Sequence, residues 1–353
     1  MSETLSVGVW AGRGGRVGTE IRVRLGAVGL GRIGGMSTRE LIVLGTSSAV
    51  PTKRRAHNGY FLRWDGHGIL FDPGEGTQRQ MRYAGISAHD ITRVCVTHFH
   101  GDHSLGLPGV IQRIARDGVT HPVRVAYPAA GQEYWERLRY ATSFVDTEVI
   151  EAQPLAGDEV VVSGEDEFTV TALPLDHSIP TYGYRIAEPD RVHMLADRLA
   201  ARGIRGPAVG RLKAEGFLID AAGNRVELAD YSVVRPGQVF AFVMDTGVCD
   251  TAVRLAERAD LLVIEATFLN AEAELAARYR HLTAGQAGMI AAQAGVRRLV
   301  LTHFSERYGR EEEDRFIAEA AACFSGEIVL AQDVMRVAVP SRRSEGGGTV
   351  AGA

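Results

Sequence analysis

The sequence predicts an α+β protein in which sheets and helices are stacked in layers. Short, apolar, β-rich runs alternate with helix-patterned stretches along most of the chain, as a layered sheet-and-helix protein requires. Of the 353 residues 45% are apolar, enough to bury a substantial core in one or two domains. No apolar run has the length that spans a bilayer, so a membrane protein is excluded from the expectation. A third observation points to function: a polar or charged residue suited to chemistry follows each of the main apolar strands.

Residues 1–36 are rich in Gly and Arg, lack apolar periodicity and precede a second methionine, Met36. They read as a disordered extension outside the fold, which is expected to occupy 37–340. Leu41–Leu44 reads as a strand entering the turn Gly45-Thr46-Ser47-Ser48. Tyr60–Trp64 and Ile69–Phe71 flank Asp65-Gly66, a hairpin signal. Arg93–Thr97, Phe168–Leu173, Val239–Met244, Leu261–Ile264 and Leu299–Thr302 are further strands. Reactive residues placed just beyond such strand ends converge along one edge of a sheet sandwich. The stretch from about 184 to 237 departs from this alternation. It carries Arg198, Arg202, Arg205, Arg211 and Lys213 around a Gly206-Pro207 break, and its apolar residues are too sparse for a core. It reads as an arm inserted between two active-site strands. The tail 341–353, with Gly346-Gly347-Gly348, reads as disordered.

The N-terminus has none of the basic, apolar and small-residue blocks of a secretory signal, which makes the cytoplasm the expected compartment. Cys95, Cys249 and Cys323 are few and widely spaced, so buried free thiols are expected rather than a disulfide framework. A formal net charge of −4 argues against a nucleic-acid partner. Phosphates respond to local charge, however, and Lys53-Arg54-Arg55 is a compact basic run on a loop.

The chemistry centres on Thr97-His98-Phe99-His100-Gly101-Asp102-His103. Residues two apart leaving a strand project to the same side, so His98 and His100 can chelate one ion while the following turn presents Asp102 and His103 to a second. A lone His pair is usually structural, but three His and one Asp within six residues are costly to explain as packing. Further ligands should come from other strand ends. His177, Asp245 and His303 each follow an apolar strand, and Asp245 is the natural bridging carboxylate, one oxygen to each ion.

In this order and at these positions the residues resemble the ligands of the metallo-β-lactamase superfamily. The resemblance implies an αββα sandwich with two Zn²⁺ per subunit. His98, His100, His177 and Asp245 would hold one ion, and Asp102, His103, Asp245 and His303 the other, with Mn²⁺ or Fe²⁺ able to take such places. Asp102 has a second implied task, accepting a proton as general base. The metal loop constrains the reaction more than the substrate.

Three strings narrow the resemblance to the ribonuclease Z family, the tRNA 3′-processing endonucleases. Phe71-Asp72-Pro73-Gly74-Glu75-Gly76-Thr77-Gln78 is similar to its strand-to-helix turn, whose glycines permit close approach and whose Thr77 and Gln78 would offer donors to RNA near a helix start. Glu265-Ala266-Thr267 and His281-Leu282-Thr283-Ala284 are the others. Thr283 and Gln286 account for a helix cap, leaving His281 to protonate the leaving oxygen with Glu265 orienting it. The chain departs from the family pattern at Ile264, where the family commonly has His. The arm resembles the family's protruding arm, with Gly206, Pro207, Arg211 and Lys213 gripping the tRNA elbow through phosphates and shape.

The resemblance therefore implies a homodimeric endoribonuclease that removes the 3′ trailer of precursor tRNA, leaving a 3′-hydroxyl on the tRNA and a 5′-phosphate on the trailer. One subunit's arm would serve the other's active site, and no DNA partner is expected. A small-molecule metallohydrolase of phosphodiesterase, arylsulfatase or lactonase type would use the same ions and not need the arm.

Overall fold

The computed structural model describes residues 39–164 and 167–341; the expectations for 1–36 and for the tail beyond Ser341 lie outside the described residues. Six strands open the fold: β1 (Arg39–Gly45), β2 (Gly59–Trp64), β3 (His67–Phe71), β4 (Arg93–Cys95), β5 (Val123–Pro128) and β6 (Ile150–Leu155). Three more follow, β7 (Val160–Gly164), β8 (Thr169–Pro174) and β9 (Tyr182–Ala187). The inserted stretch adds β10 (Arg191–Met194), β11 (Phe217–Ile219), β12 (Arg225–Glu227) and β13 (Ser232–Arg235). The chain then returns through β14 (Val239–Val243), β15 (Leu261–Glu265), β16 (Arg298–Thr302), β17 (Glu327–Leu330) and β18 (Arg336–Ala338).

Two seven-stranded sheets result, in the orders β18-β1-β2-β3-β4-β5-β6 and β17-β16-β15-β14-β9-β8-β7. Strand alternation explains how they stack. On β15, Leu261 and Val263 face the layer between the sheets, while Leu262 and Ile264 face the helices behind. On β3, Ile69 and Phe71 face inward and Leu70 faces the opposite helix layer. Phe71 stacks on Phe242 at 4.5 Å, with Tyr60 edge-on to Phe242 at 5.2 Å. Apolar residues thus fill three layers, one between the sheets and one under each set of helices, which is the αββα sandwich.

Strand direction then gathers the chemistry. β14, β15 and β16 run parallel. β8 is antiparallel to β9, which is antiparallel to β14, so β8 points the same way. In the other sheet β3 and β4 are parallel. The residues that leave the carboxyl ends of these strands are Asp72, His98, His177, Asp245, Glu265 and His303. β4 stops at Cys95, short of the expected Thr97, because the Thr97 N–H donates to Asp72 Oδ1 at 2.7 Å instead of continuing the ladder.

The arm differs from expectation in two respects. Tyr184 lies in β9 and is fully buried within the second sheet, so the excursion starts after Ala187. It also has a core of its own. Leu199, Ile204, Leu212 and Val226, none more than 5% exposed, pack together from the helices Ala196–Ala201 and Pro207–Glu215, their connecting loop and β12. Their wide spacing along the chain makes them look sparse. All three cysteines are free, as expected, but only Cys95 is buried; Cys249 is partly exposed and Cys323 exposed. Among the described residues no helix is long and apolar enough to cross a membrane.

Candidate metal centre

The structure brings His98, His100, His177 and Asp245 into one group and Asp102, His103 and His303 into another beside it. In the first, His98 Nε2 lies 2.9 Å from His100 Nδ1, which lies 3.3 Å from His177 Nε2. Asp245 Oδ2 is 3.6 Å from His98 Nε2 and 3.7 Å from His177 Nε2. In the second, His103 Nε2 and His303 Nε2 are 3.2 Å apart, and Asp102 Oδ2 is 3.3 and 3.4 Å from them. Asp245 turns its other oxygen, Oδ1, to this group, 3.3 Å from His103 Nε2 and 3.2 Å from His303 Nε2.

These separations suit a metal. Ligand atoms about 2.0–2.1 Å from a tetrahedral ion lie roughly 3.3 Å from one another. Asp245 Oδ1 is buried and accepts no hydrogen bond although two imidazole nitrogens stand close to it. A buried anionic oxygen without a donor is costly, and a cation between it and the nitrogens removes that cost. Burial holds His98, His100 and His177 below the usual imidazole range, leaving them in the neutral form that ligates. Burial alone would raise Asp245, but His103, His303 and His281 hold it well below the carboxylate range. Asp245, at φ 48°, and His303, at φ 60°, sit in the left-handed region that residues with a Cβ seldom use. The chain bends sharply there as it leaves β14 and β16.

Two buried carboxylates aim the histidines. Asp72 Oδ2 accepts from His103 Nδ1 at 2.9 Å and from Thr97 Oγ1 at 2.8 Å, while the same hydroxyl lies 3.0 Å from His98 Nδ1. Glu265 Oε2 accepts from Thr267 Oγ1 at 2.6 Å, and that hydroxyl lies 2.8 Å from His303 Nδ1. Each threonine can donate to its carboxylate and accept from an imidazole N–H, which fixes the tautomer that presents Nε2. Asp72, Thr97 and Thr267 were not assigned roles from the sequence. The signal that singled out the other ligands applied to Asp72 as well, since it directly follows an apolar strand. Asp72→Asn is expected to weaken metal binding roughly 10–100-fold, by titration of the metal-free protein, because an amide nitrogen cannot accept from His103.

His281 stands beside the second group. Its Nδ1 lies 3.1 Å from both Glu265 oxygens and 4.0 Å from Asp245 Oδ2. Burial would lower its pKa, but the charges of Glu265 and Asp245 raise it to about 9. Glu265 is fully buried and also accepts from the Thr246 and Leu282 N–H groups. With Nδ1 committed, Nε2 is left for a cleft of about 550 Å³ that His281 lines with His100, His177 and Ser48. Ile264 is fully buried among the helix-side residues of β15, so its side chain packs away from the centre. Cys249 Sγ rests against Thr246 and Thr251 hydroxyls, apart from both ligand groups.

The expected RNA contacts divide. Lys53 and Arg54 are exposed, although Arg54 Nη1 also lies 3.7 Å from Glu313 Oε1. Arg55 is not available to RNA: its guanidinium pairs with Glu313 at 2.9 Å, donates to Thr46 Oγ1 and the Ala331 carbonyl, and covers the Phe304 ring. Thr77 is only 2% exposed, so its place at a helix start does not offer it to a phosphate. Gln78 is exposed but donates to the Gly109 carbonyl at 2.6 Å, tying two helices together. Gly74 does permit close approach, since a Cβ there would lie 2.1 Å from the Asp102 carbonyl oxygen. In the arm, Gly206 at φ 57° precedes Pro207, which opens a helix carrying Arg211 and Lys213 on exposed positions.

Comparison with known proteins agrees with this architecture. Residues 52–185 match the metallo-beta-lactamase superfamily and residues 208–304 a beta-lactamase superfamily domain. A ribonuclease Z of Salinispora arenicola is 56% identical over 308 residues, 87% of this chain and 98% of that protein. One from Nocardia farcinica is 55% identical, covering 87% of this chain and 100% of that protein. The crystal structure of human tRNase Z, short form, aligns with a TM-score of 0.60 at 26% identity, covering 86% of this chain and 100% of that one. At this identity, and over the whole described fold, the chain belongs to the ribonuclease Z family of the metallo-β-lactamase superfamily.

Proposed function

We propose that this chain, by its family a tRNA 3′-processing hydrolase, uses two Zn²⁺ to remove the 3′ trailer of precursor tRNA, leaving a 3′-hydroxyl on the tRNA and a 5′-phosphate on the trailer. The observation that carries the dinuclear reading is Asp245, whose two oxygens face two separate sets of nitrogen and carboxylate ligands. The sets are His98, His100 and His177 on one side, and Asp102, His103 and His303 on the other. Imidazole and carboxylate ligands favour Zn²⁺, with Mn²⁺ or Fe²⁺ as substitutes. When bound, two such ions supply a nucleophile at neutral pH and neutralise charge on the phosphate.

The chain's own residues do the rest. Asp102 is held as a carboxylate, His103 and His303 outweighing the effect of burial, and accepts the Ala49 N–H at 2.8 Å. It is first a ligand and second a transient proton acceptor. His281, protonated at neutral pH through Glu265, donates from Nε2 to the departing 3′-oxygen. Arg211, Lys213, Lys53 and Arg54 supply charge for the phosphate backbone, and Gly206-Pro207 sets the helix that presents the first two. By family likeness we infer a cytoplasmic homodimer in which one subunit's arm serves the other's site; a monomer in sedimentation would refute the dimer.

The direct test is incubation with a trailer-bearing precursor tRNA, with and without chelator, mapping the cut to one nucleotide. Chelator-sensitive cleavage beside the discriminator base is expected. Alanine at both Arg211 and Lys213 should weaken precursor binding roughly tenfold and flatten its salt dependence. Deleting 188–237 should impair tRNA processing severely while sparing hydrolysis of bis(p-nitrophenyl) phosphate. Undiminished processing by both variants would refute the arm's role, whereas the absence of a cut near the discriminator base would favour a small-molecule hydrolase.

A further inference from the structure

One candidate ligand, His177, is gripped by a residue from another loop lining the same cleft. Arg280 follows the helix Ala273–Tyr279 and adopts a left-handed conformation, φ 54° and ψ 54°. A residue with a Cβ holds that conformation only where its surroundings stabilise it. There its carbonyl accepts from His177 Nδ1 at 3.2 Å. Its guanidinium reaches back across the same gap, where one nitrogen, Nη1, donates to the His177 carbonyl at 2.8 Å and to Asp176 Oδ1 at 3.1 Å. A single residue therefore holds both the ring and the peptide of one histidine. The contact joins loops 103 positions apart in sequence. The next residue is His281, whose ring centroid lies 5.3 Å from that of His177.

We propose that Arg280 is a positioning residue for the first metal site, clamping the loop after β8 to the residue before His281 and so fixing the His177 ring and its distance from the acid. The proposal rests on the dinuclear reading above. Without the guanidinium, the left-handed peptide keeps its helix-cap bonds, from the Arg280 N–H to Ala277 and the His281 N–H to Ala276, but the loop that carries His177 is no longer tied to it and Nδ1 can part from the Arg280 carbonyl. The ring then loses the hydrogen bond that orients Nε2 toward the ion. Loss of such a partner weakens metal affinity roughly 10–100-fold. Nη1 is committed to protein on both contacts, while the rest of the half-exposed guanidinium faces the cleft, so metal affinity rather than KM is the readout that separates the clamp from a grip on substrate.

The test is a Co²⁺ titration of the metal-free full-length protein followed by visible absorption, with His100→Ala and His303→Ala assigning the two sites. Arg280→Ala is expected to lose first-site affinity roughly tenfold or more, with the second site unchanged. Arg280→Lys should restore it, because one nitrogen makes both side-chain contacts. Hydrolysis of bis(p-nitrophenyl) phosphate at limiting metal should fall in kcat with KM little changed. Wild-type Co²⁺ affinity in Arg280→Ala overturns the proposal, as does a change confined to KM. Equal losses at both sites with a lowered melting temperature also overturn it, marking general destabilisation. If the native protein binds two Co²⁺ but does not cut precursor tRNA, the substrate reading fails while the clamp is still tested by affinity.

Discussion

Asp245→Asn is expected to reduce precursor-tRNA cleavage by at least about a thousandfold, a barrier increase of about 4 kcal/mol, and to lower metal content below two ions per chain. The substitution keeps the shape of the side chain and removes the feature that matters. Asp245 directs Oδ2 to His98 and His177 and Oδ1 to His103 and His303. An amide offers one neutral oxygen, so both groups lose the anionic charge and one of them loses its oxygen ligand altogether. The fold should survive, because Asn tolerates the left-handed backbone that Asp245 adopts at φ 48°. Elemental analysis of the purified variant and thermal melts of chelated protein measure the two effects separately. Full activity with two ions bound would end the dinuclear reading.

His281→Ala is expected to lower kcat for precursor tRNA roughly 10²–10⁴-fold while leaving metal content unchanged. The loss should depend on the leaving group. A 3′-ribose oxygen needs a proton as it departs, whereas p-nitrophenolate does not, so bis(p-nitrophenyl) phosphate hydrolysis should fall by less than about tenfold. The pH profile adds a sign. The Glu265 and Asp245 charges raise His281 to about 9, so the donating form is present below that pH and is lost as pH rises through it. A falling alkaline limb in native kcat, absent in His281→Ala, is the expected pattern. Equal losses on both phosphodiesters would refute the acid role.

Much of this centre was legible along the chain because it follows strand ends. Continuous apolar runs identify β15 and β16 by themselves, as parallel strands buried on both faces require, and the residue that leaves each run is the one the sheet delivers to the edge. The alternation on β15 also explains Ile264. Leu262 and Ile264 share the helix-facing side, so a side chain at 264 packs into that layer. Metal-ligand spacing is equally local, since His98, His100, Asp102 and His103 lie within one loop.

What the residues indicated by themselves was therefore a layered α+β fold and a cluster of candidate ligands at strand ends, which depend on periodicity and on short-range spacing. The αββα sandwich and the assignment of ligands to two ions came from the family resemblance. Only the tertiary structure decided which polar residues are free to act. Arg55 belongs to a basic run on a loop, yet Glu313, 258 positions away, takes its charge. Thr77 stands at a helix start, yet packing buries it. Thr97 and Thr267 look like ordinary strand-end residues until their hydroxyls are seen between a carboxylate and an imidazole. A hydrogen-bond partner is chosen by proximity in space, which for Thr97 and Thr267 arises from the pairing of β3 with β4 and of β15 with β16, and for Arg55 from the packing of its loop against a helix far along the chain.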